Sequence, residues 1–385
     1  MRTANRVQPY GTTIFTEMTA LANEYQAVNL GQGFPDFPAP DFIKEAARAA
    51  IDADHNQYAH MPGIARLRQA IANKVRRHYG LDVNPETEIT VTHGATEGIF
   101  ATILGLVDPG DEVIMFEPVY DSYFPAVTMS GGMPVTYPLR APDFNFDPDA
   151  LEALFTDRTK AILINTPHNP IGKVFTREEL DTIARLCQKY DVLAITDEVY
   201  EHIVFDEARH LPLINFPGMR ERTIMISSIG KTFSVTGWKL GWAIAAPDLS
   251  SGVRRTHQFM TFCGNPATQL AAAEALEVAD GQGYYEWLQQ MYLEKRDFLE
   301  RALADAGIPA FTPKGTYFIM ADIRGLGFAD DVAFCRYLTT EVGVAAIPPS
   351  AFYSNPADGA TVARFCFCKT ESLLEEAARR LRLIG

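Results

Sequence analysis

The sequence predicts an α/β protein with a mostly parallel central sheet, helices on both faces, and a smaller α+β domain after it. Three observations carry this expectation. Short runs of strand composition recur at 88–92, 111–116, 160–164, 192–196 and 223–226, with helical stretches between them, the βαβ rhythm that sets strands parallel. The run at 192–196 is apolar throughout, as a strand covered on both faces must be. A glycine break at 280–283, followed by the helical spacing of 284–306, marks the entry to a second lobe in a chain of 385 residues. The expected division is an N-terminal arm and part of the small domain over 1–44, a large ligand-binding domain over 45–280, and a small C-terminal domain over 281–385.

Taken in order, the chain opens with a helix from Thr13 onward, with Thr12 or Thr13 as its N-cap. The stretch 29–40, NLGQGFPDFPAP, is too rich in glycine and proline for regular structure, and its glycines allow close backbone approach to a ligand. A helix over 41–53 follows, then the polar loop Asn56-Gln57-Tyr58. The strand at 88–92 runs into His93-Gly94-Ala95-Thr96 and an apolar helix through Val107. Strand, small-residue turn and helix leave unpaired N–H groups and a positive dipole end at the turn, so Gly94, Ala95 and Thr96 form a candidate anion cradle.

The strand at 111–116 ends in EPVY, which carries Tyr120, and the strand at 160–164 ends in the irregular turn NTPHNPIG, which carries Asn169. After 192–196 comes Asp197, a carboxylate at a buried strand end that needs a partner. Tyr200 adds a phenol three residues on. The strand at 223–226 leads into SSIGKTFSVTGWKLGW, read as one turn-rich passage over 227–242. Lys231 then sits just past a strand end, where open α/β sheets bind ligands and where a lysine can form a Schiff base with an aldehyde. Ser228 and Lys239 flank it with a hydroxyl and an ammonium that suit a phosphate-bearing cofactor. Strands at 316–321 and 362–368 belong to the second lobe, the latter holding Arg364 in the run ARFCFCK, and 371–383 is an amphipathic helix with arginines in its last turns.

Composition bounds the function. The 47% hydrophobic and 21% charged content is that of a soluble globular enzyme, and a formal charge of −14 argues against a general nucleic-acid or anionic-membrane binder. The cysteines Cys187, Cys263, Cys335, Cys366 and Cys368 lack a repeating ligand spacing, which favours reduced thiols over a metal site. Without an N-terminal apolar leader or a run of about 18 apolar residues, the expected location is the cytoplasm.

The motifs S-x-x-K-x-x-x-x-x-x-x-K-x-G around Lys231, NLGQGFPDF, N-x-P-x-N-P-x-G, DEVY and RFCF resemble, in order and spacing, those of the class I/II aminotransferases, fold-type-I enzymes that use pyridoxal phosphate. The resemblance covers nearly the whole chain. It is nearest to the kynurenine, methionine and N-succinyldiaminopimelate branch, through TTIFTEMTALA, PHNPIGKVF and GVAAIPPSAFY. It implies Lys231 as the Schiff-base lysine, Ser228 and Lys239 on the phosphate with Gly94 to Thr96, and Asp197 on the pyridine nitrogen. It further implies Tyr120 stacked on the ring, Asn169 and Tyr200 on the 3-oxygen, and Gly33, Asn169 and Arg364 around the substrate carboxylate. Tyr58 is implied to reach the phosphate of a partner subunit, hence a homodimer.

The expected reaction is transfer of an amino group from an L-amino acid to a 2-oxo acid, with Lys231 as general base and acid. Phe34, Tyr120, Phe262 and Phe352 favour an aromatic, methionine or kynurenine-like donor. An N-succinyldiaminopimelate aminotransferase, with Arg254 or Arg255 meeting the succinyl group, and a cysteine-conjugate β-lyase are the alternatives within enzymes. A non-catalytic ligand sensor would need a DNA-binding segment for which the chain has no spare length.

Overall fold

The computed structural model describes residues 3–384. Helix Ile14–Glu24 begins at Thr13, whose side chain accepts from the Thr16 N–H, and leads to the short strand β1 (Val28–Asn29). The central sheet contains β2 (Ile89–Thr92), β3 (Glu112–Glu117), β4 (Met133–Pro138), β5 (Thr159–Asn165), β6 (Leu193–Asp197), β7 (Thr223–Ser228) and β8 (Gly241–Ile244). Their spatial order is β2-β8-β7-β6-β5-β3-β4. Neighbours from β7 to β4 pair parallel, and β8 alone runs antiparallel to both its neighbours.

The period of two along each strand divides the core. Ile114, Ile162, Ile164 and Ala194 join the cluster under helix Arg177–Lys189, with Leu180, Ile183 and Leu186. Their neighbours Val113, Met115, Ala161, Leu163 and Ile195 join the opposite cluster, covered by Ile99 and Ile103 of helix Gly94–Leu106. Both faces are therefore dry, which is why these strands read as continuous apolar runs. Truncating one such residue, for example Ile162→Ala, removes about 2–5 kcal/mol.

The smaller sheet has order β12-β10-β9, built antiparallel from β9 (Ala310–Phe311), β10 (Phe318–Asp322) and, past β11 (Val344–Ala345), β12 (Val362–Cys366). β1 pairs in parallel with β11, Val28 opposite Val344, so the start of the chain is woven into its last quarter. Helices Tyr284–Asp305 and Glu371–Leu381 pack beside them.

Two strands of the central sheet depart from the sequence expectation. β4 is a half-exposed edge strand carrying Pro134 and Pro138, residues that an interior strand could not accommodate. The passage 227–242 is only partly a turn: it holds the end of β7, a short helix Ile229–Thr232, a 3₁₀ turn and the start of β8. Gly241 opens β8 because a Cβ there would lie 2.7 Å from the Ser227 carbonyl oxygen and 2.8 Å from the Ala95 nitrogen. Among the described residues no helix is long and apolar enough to cross a membrane.

Candidate active site

β5, β6 and β7 end side by side at Asn165, Asp197 and Ser228, and a cavity with an empty volume of ≈ 620 Å³ opens beyond them. Its wall brings together residues that the sequence scatters over nearly 150 positions, roughly the size of a domain. Gly94, Ala95 and Thr96 follow β2, Tyr120 follows β3, Asn169 follows β5, Asp197 and Tyr200 lie at and after the end of β6, and Ser228, Lys231 and Lys239 lie between the end of β7 and the start of β8.

Helix Gly94–Leu106 points its N-terminus at this cavity, with no side chain capping it, so the first-turn N–H groups of Ala95 and Thr96 have no intrahelical acceptor. Gly94 takes a left-handed φ of +71°, and a Cβ on it would lie 3.4 Å from Lys239 Nζ. The ammonium of Lys239 thus stands over the helix end, its own φ being +50°. Ser228 is buried at the start of the short helix and makes no capping bond with its side chain, leaving its hydroxyl for the cavity. Cation, hydroxyl and free N–H groups together suit a phosphate.

Lys231 comes from that short helix, and its Nζ lies 5.5 Å from the Tyr200 ring centroid and 5.7 Å from that of Tyr317. Burial lowers its pKa to about 8, against the opposing pull of Cys368 and Asp197. Asp197 shows the converse. Burial raises its pKa to about 6, while the Tyr123 hydroxyl, donating to Oδ2 at 2.7 Å, and the Val199 N–H, donating to Oδ1 at 3.3 Å, hold it down. Tyr200 is buried and its phenol stays protonated, pushed well above its ordinary value by desolvation.

Arg364, Gly33 and Tyr58 stand outside the cavity wall proper. Arg364 is 1% exposed and donates through Nη1 to Asn169 Oδ1 at 3.3 Å and through Nη2 to the Gly31 carbonyl at 2.6 Å. Its buried Nε has no partner, and the rings of Phe318, Phe15 and Phe352 surround it at 4.4, 5.0 and 5.7 Å from the guanidinium carbon. Gly33 packs so tightly on Phe318 that a Cβ would fall 2.4 Å from the ring. Tyr58 is 85% exposed, with its ring edge-on to Phe262. Arg254 and Arg255 line a separate surface hollow, and Arg254 donates to the Ile89 carbonyl of β2, so neither meets the cavity around Lys231.

Tyr123 and Asn165 escaped the sequence reading. Asn165 closes β5, donates to the Asp197 carbonyl at 2.9 Å and accepts from the Asn169 N–H at 2.7 Å, so it locks two candidate residues together. Its signal was the first letter of NTPHNPIG. Tyr123 lies three residues after Tyr120, across a turn closed by its N–H on the Tyr120 carbonyl at 3.0 Å, and that spacing was the available clue.

A desolvated amine of lowered pKa, a carboxylate at an adjacent strand end and an uncapped helix terminus with its own cation are what an aldehyde cofactor anchored by phosphate requires. The class so defined is the pyridoxal-phosphate enzymes. The chain belongs to the aminotransferase class I and II family, whose sequence profile matches residues 25–381. The solved N-succinyldiaminopimelate aminotransferase of Mycobacterium tuberculosis superposes with a TM-score of 0.96 at 48% identity, covering 100% of both chains. The methionine aminotransferase of Escherichia coli is 42% identical over 98% of this chain and 97% of its own length, and its solved structure has a TM-score of 0.96. Human kynurenine–oxoglutarate transaminase 1 is 38% identical over 98% of this chain and 97% of its own. The chain is thus a fold-type-I, pyridoxal-phosphate-dependent aminotransferase.

Proposed function

We propose that this aminotransferase takes its amino group from an L-amino acid with a bulky apolar side chain, aromatic, methionine or kynurenine-like, and passes it to a 2-oxo acid. The observation that carries the reading is the setting of Arg364, a buried guanidinium with an unpartnered Nε walled by three phenyl rings. A carboxylate meets its counter-ion there, and the rings favour an apolar remainder.

Bound pyridoxal phosphate supplies the aldehyde that carries the amino group and the ring that accepts the electron pair from the α-carbon. The chain does the rest. Ser228, Lys239 and the N–H groups of Ala95 and Thr96 would hold the phosphate, Tyr120 would pack against the ring, and Asn169 and Tyr200 would reach its 3-oxygen. Asp197 keeps the ring nitrogen protonated. Arg364, with Gly33 and Asn169 beside it, orients the substrate carboxylate. Lys231 Nζ, brought near neutral pKa by burial, takes the proton from the α-carbon and returns it during transfer.

Two further parts of the reading rest on exposure and thiol state. A large aromatic standing 85% exposed at Tyr58, against the exposed ring of Phe262, supports a homodimer in which Tyr58 crosses to the partner's phosphate site. Five free cysteines support a reducing, cytoplasmic setting.

The 48% identity to a protein named for N-succinyldiaminopimelate favours that substrate as the second reading. Steady-state rates with methionine, phenylalanine, tyrosine and kynurenine as donors to 2-oxoglutarate, against glutamate with N-succinyl-2-amino-6-oxopimelate, decide between them. The apolar donors should lead in kcat/KM. Dominance of the succinylated substrate would reverse the assignment, and release of pyruvate and ammonia from a cysteine conjugate without any oxo acid would mark a β-lyase.

A further inference from the structure

The segment from Leu30 to Asp36 has no regular structure, yet successive carbonyls along it are met one after another by donors from the small sheet. The Cys366 N–H donates to the Leu30 carbonyl at 2.8 Å, and Arg364 Nη2 to Gly31 at 2.6 Å. Cys366 Sγ meets the Gln32 carbonyl at 3.1 Å, the Tyr317 hydroxyl meets Gly33 at 2.7 Å, and Lys369 Nζ meets Phe34 at 2.9 Å. The Thr370 N–H then donates to the Asp36 carboxylate at 2.6 Å. Arg364, Cys366, Lys369 and Thr370, on β12 and just after it, supply five of these six attachments, and Tyr317, next to β10, supplies the other.

Lys369 is the costly member of this ladder. It is 3% exposed, its ammonium meets a carbonyl rather than a carboxylate, and it lies 4.5 Å from the centroid of the Phe34 ring. Burying an ammonium without a counter-ion is unfavourable unless the hydrogen bond and the ring offset the lost hydration. Its own carbonyl is fixed in turn by the Nζ of Lys295 at 2.7 Å. Arg364 and Lys369 clamp the two ends of the Gly31–Phe34 turn, and Gly33 between them lies against the Phe318 ring that also stacks on Arg364.

We infer that Lys369 is a positioning residue for substrate binding: by clamping the Phe34 carbonyl and ring it holds the Gly31–Phe34 turn over Arg364. This rests on Arg364 being the carboxylate site. Because amino donor and 2-oxo acceptor share the carboxylate, the turn serves both half-reactions. The groups that hold it, Arg364, Cys366, Tyr317 and Lys369, lie outside the lining of the cofactor cavity.

The test is steady-state kinetics of the holoenzyme carrying Lys369→Met, which keeps the straight apolar stem and removes the donor and the charge. Loss of one charge-assisted hydrogen bond should raise KM for donor and acceptor together by roughly tenfold, with kcat within about twofold and the cofactor's visible absorption band unchanged. Lys369→Arg, which retains a cationic donor, should recover most of the loss. Asp36→Ala removes an exposed acceptor at the far end of the ladder and should shift both KM values the same way by a smaller factor. If Lys369→Met does not fold, this variant decides, and unchanged KM values overturn the inference. So does an Lys369→Met enzyme whose KM values stay at wild type, or one that loses kcat and cofactor affinity instead. Arg364→Lys in the same series separates the two claims: if it leaves KM unchanged, the carboxylate site itself is misplaced, whereas a large effect there with none at Lys369 refutes only the positioning role.

Discussion

Replacing Tyr123 by phenylalanine should change the acidity of Asp197 and little else. The phenol donates to Asp197 Oδ2 at 2.7 Å, is itself buried, and packs edge-on to Tyr120, contacts that a phenyl ring preserves. A hydrogen bond to a charged acceptor is worth about 1.5–3 kcal/mol and one pKa unit about 1.4 kcal/mol, so its loss raises the carboxyl by roughly one to two units. Burial already holds Asp197 at about 6. The variant would therefore titrate at roughly 7–8, and only the ionised form pairs with a protonated ring nitrogen. At pH 7 the ionised fraction falls from about nine-tenths to between one-half and one-tenth, so the apoenzyme should bind pyridoxal phosphate roughly two- to tenfold more weakly. At pH 9 both proteins are ionised and the difference should vanish. The assay is cofactor titration of apoenzyme across pH 5–9, followed by the visible absorption band. Curves for wild type and Tyr123→Phe that superpose, or differ by a constant factor at every pH, would refute the reasoning.

Lys231→Ala should abolish the visible band of the bound cofactor and nearly all transamination, and borohydride followed by peptide mapping should label Lys231 in the wild type. Label on another lysine would sink the assignment. Gly33→Ala forces a Cβ to 2.4 Å from the Phe318 ring, which cannot retreat without disturbing Arg364 stacked on it. KM for the amino acid should rise by roughly tenfold, about 1.4 kcal/mol, with the cofactor spectrum intact, as read by initial rates and absorbance.

The sheet's interior strands were legible because they are dry on both faces: Ile162 and Leu163 face opposite cores, and an unbroken apolar run is what that demands. β4 and β8 were not, for different reasons. At the sheet's edge, prolines in β4 erase the strand signal, and the glycine that starts β8 answers to the approach of Ala95 rather than to strand propensity. Lys231, Ser228 and Asp197 announced themselves as polar side chains placed after strands, a local pattern. Arg364 stood in the run ARFCFCK with no local sign of its role and owed its reading to family resemblance. Its burial depends on Phe15, Phe318 and Phe352, which are remote in the chain, and no local pattern encodes that meeting. Tyr123 is similar, since its partner Asp197 lies 74 residues on.

The pairing of β1 with β11 sets an order on how the enzyme comes into being. Every residue lining the cofactor cavity lies between Gly94 and Leu240, so a growing chain can complete that cavity while its C-terminal third is still unmade. The turn from Gly31 to Phe34 emerges first of all, but its anchors, Tyr317, Arg364, Cys366 and Lys369, emerge among the last. Until then the turn has helix Ile14–Glu24 to fasten to, through Gln32 Nε2 donating to the Phe15 carbonyl and the Thr19 hydroxyl, and none of these later anchors. Capacity to hold the cofactor thus precedes capacity to recognise an amino acid, and a chain cut short before β12 retains the lining of the first site and, of the fastening of the second, Tyr317 without Arg364, Cys366 and Lys369.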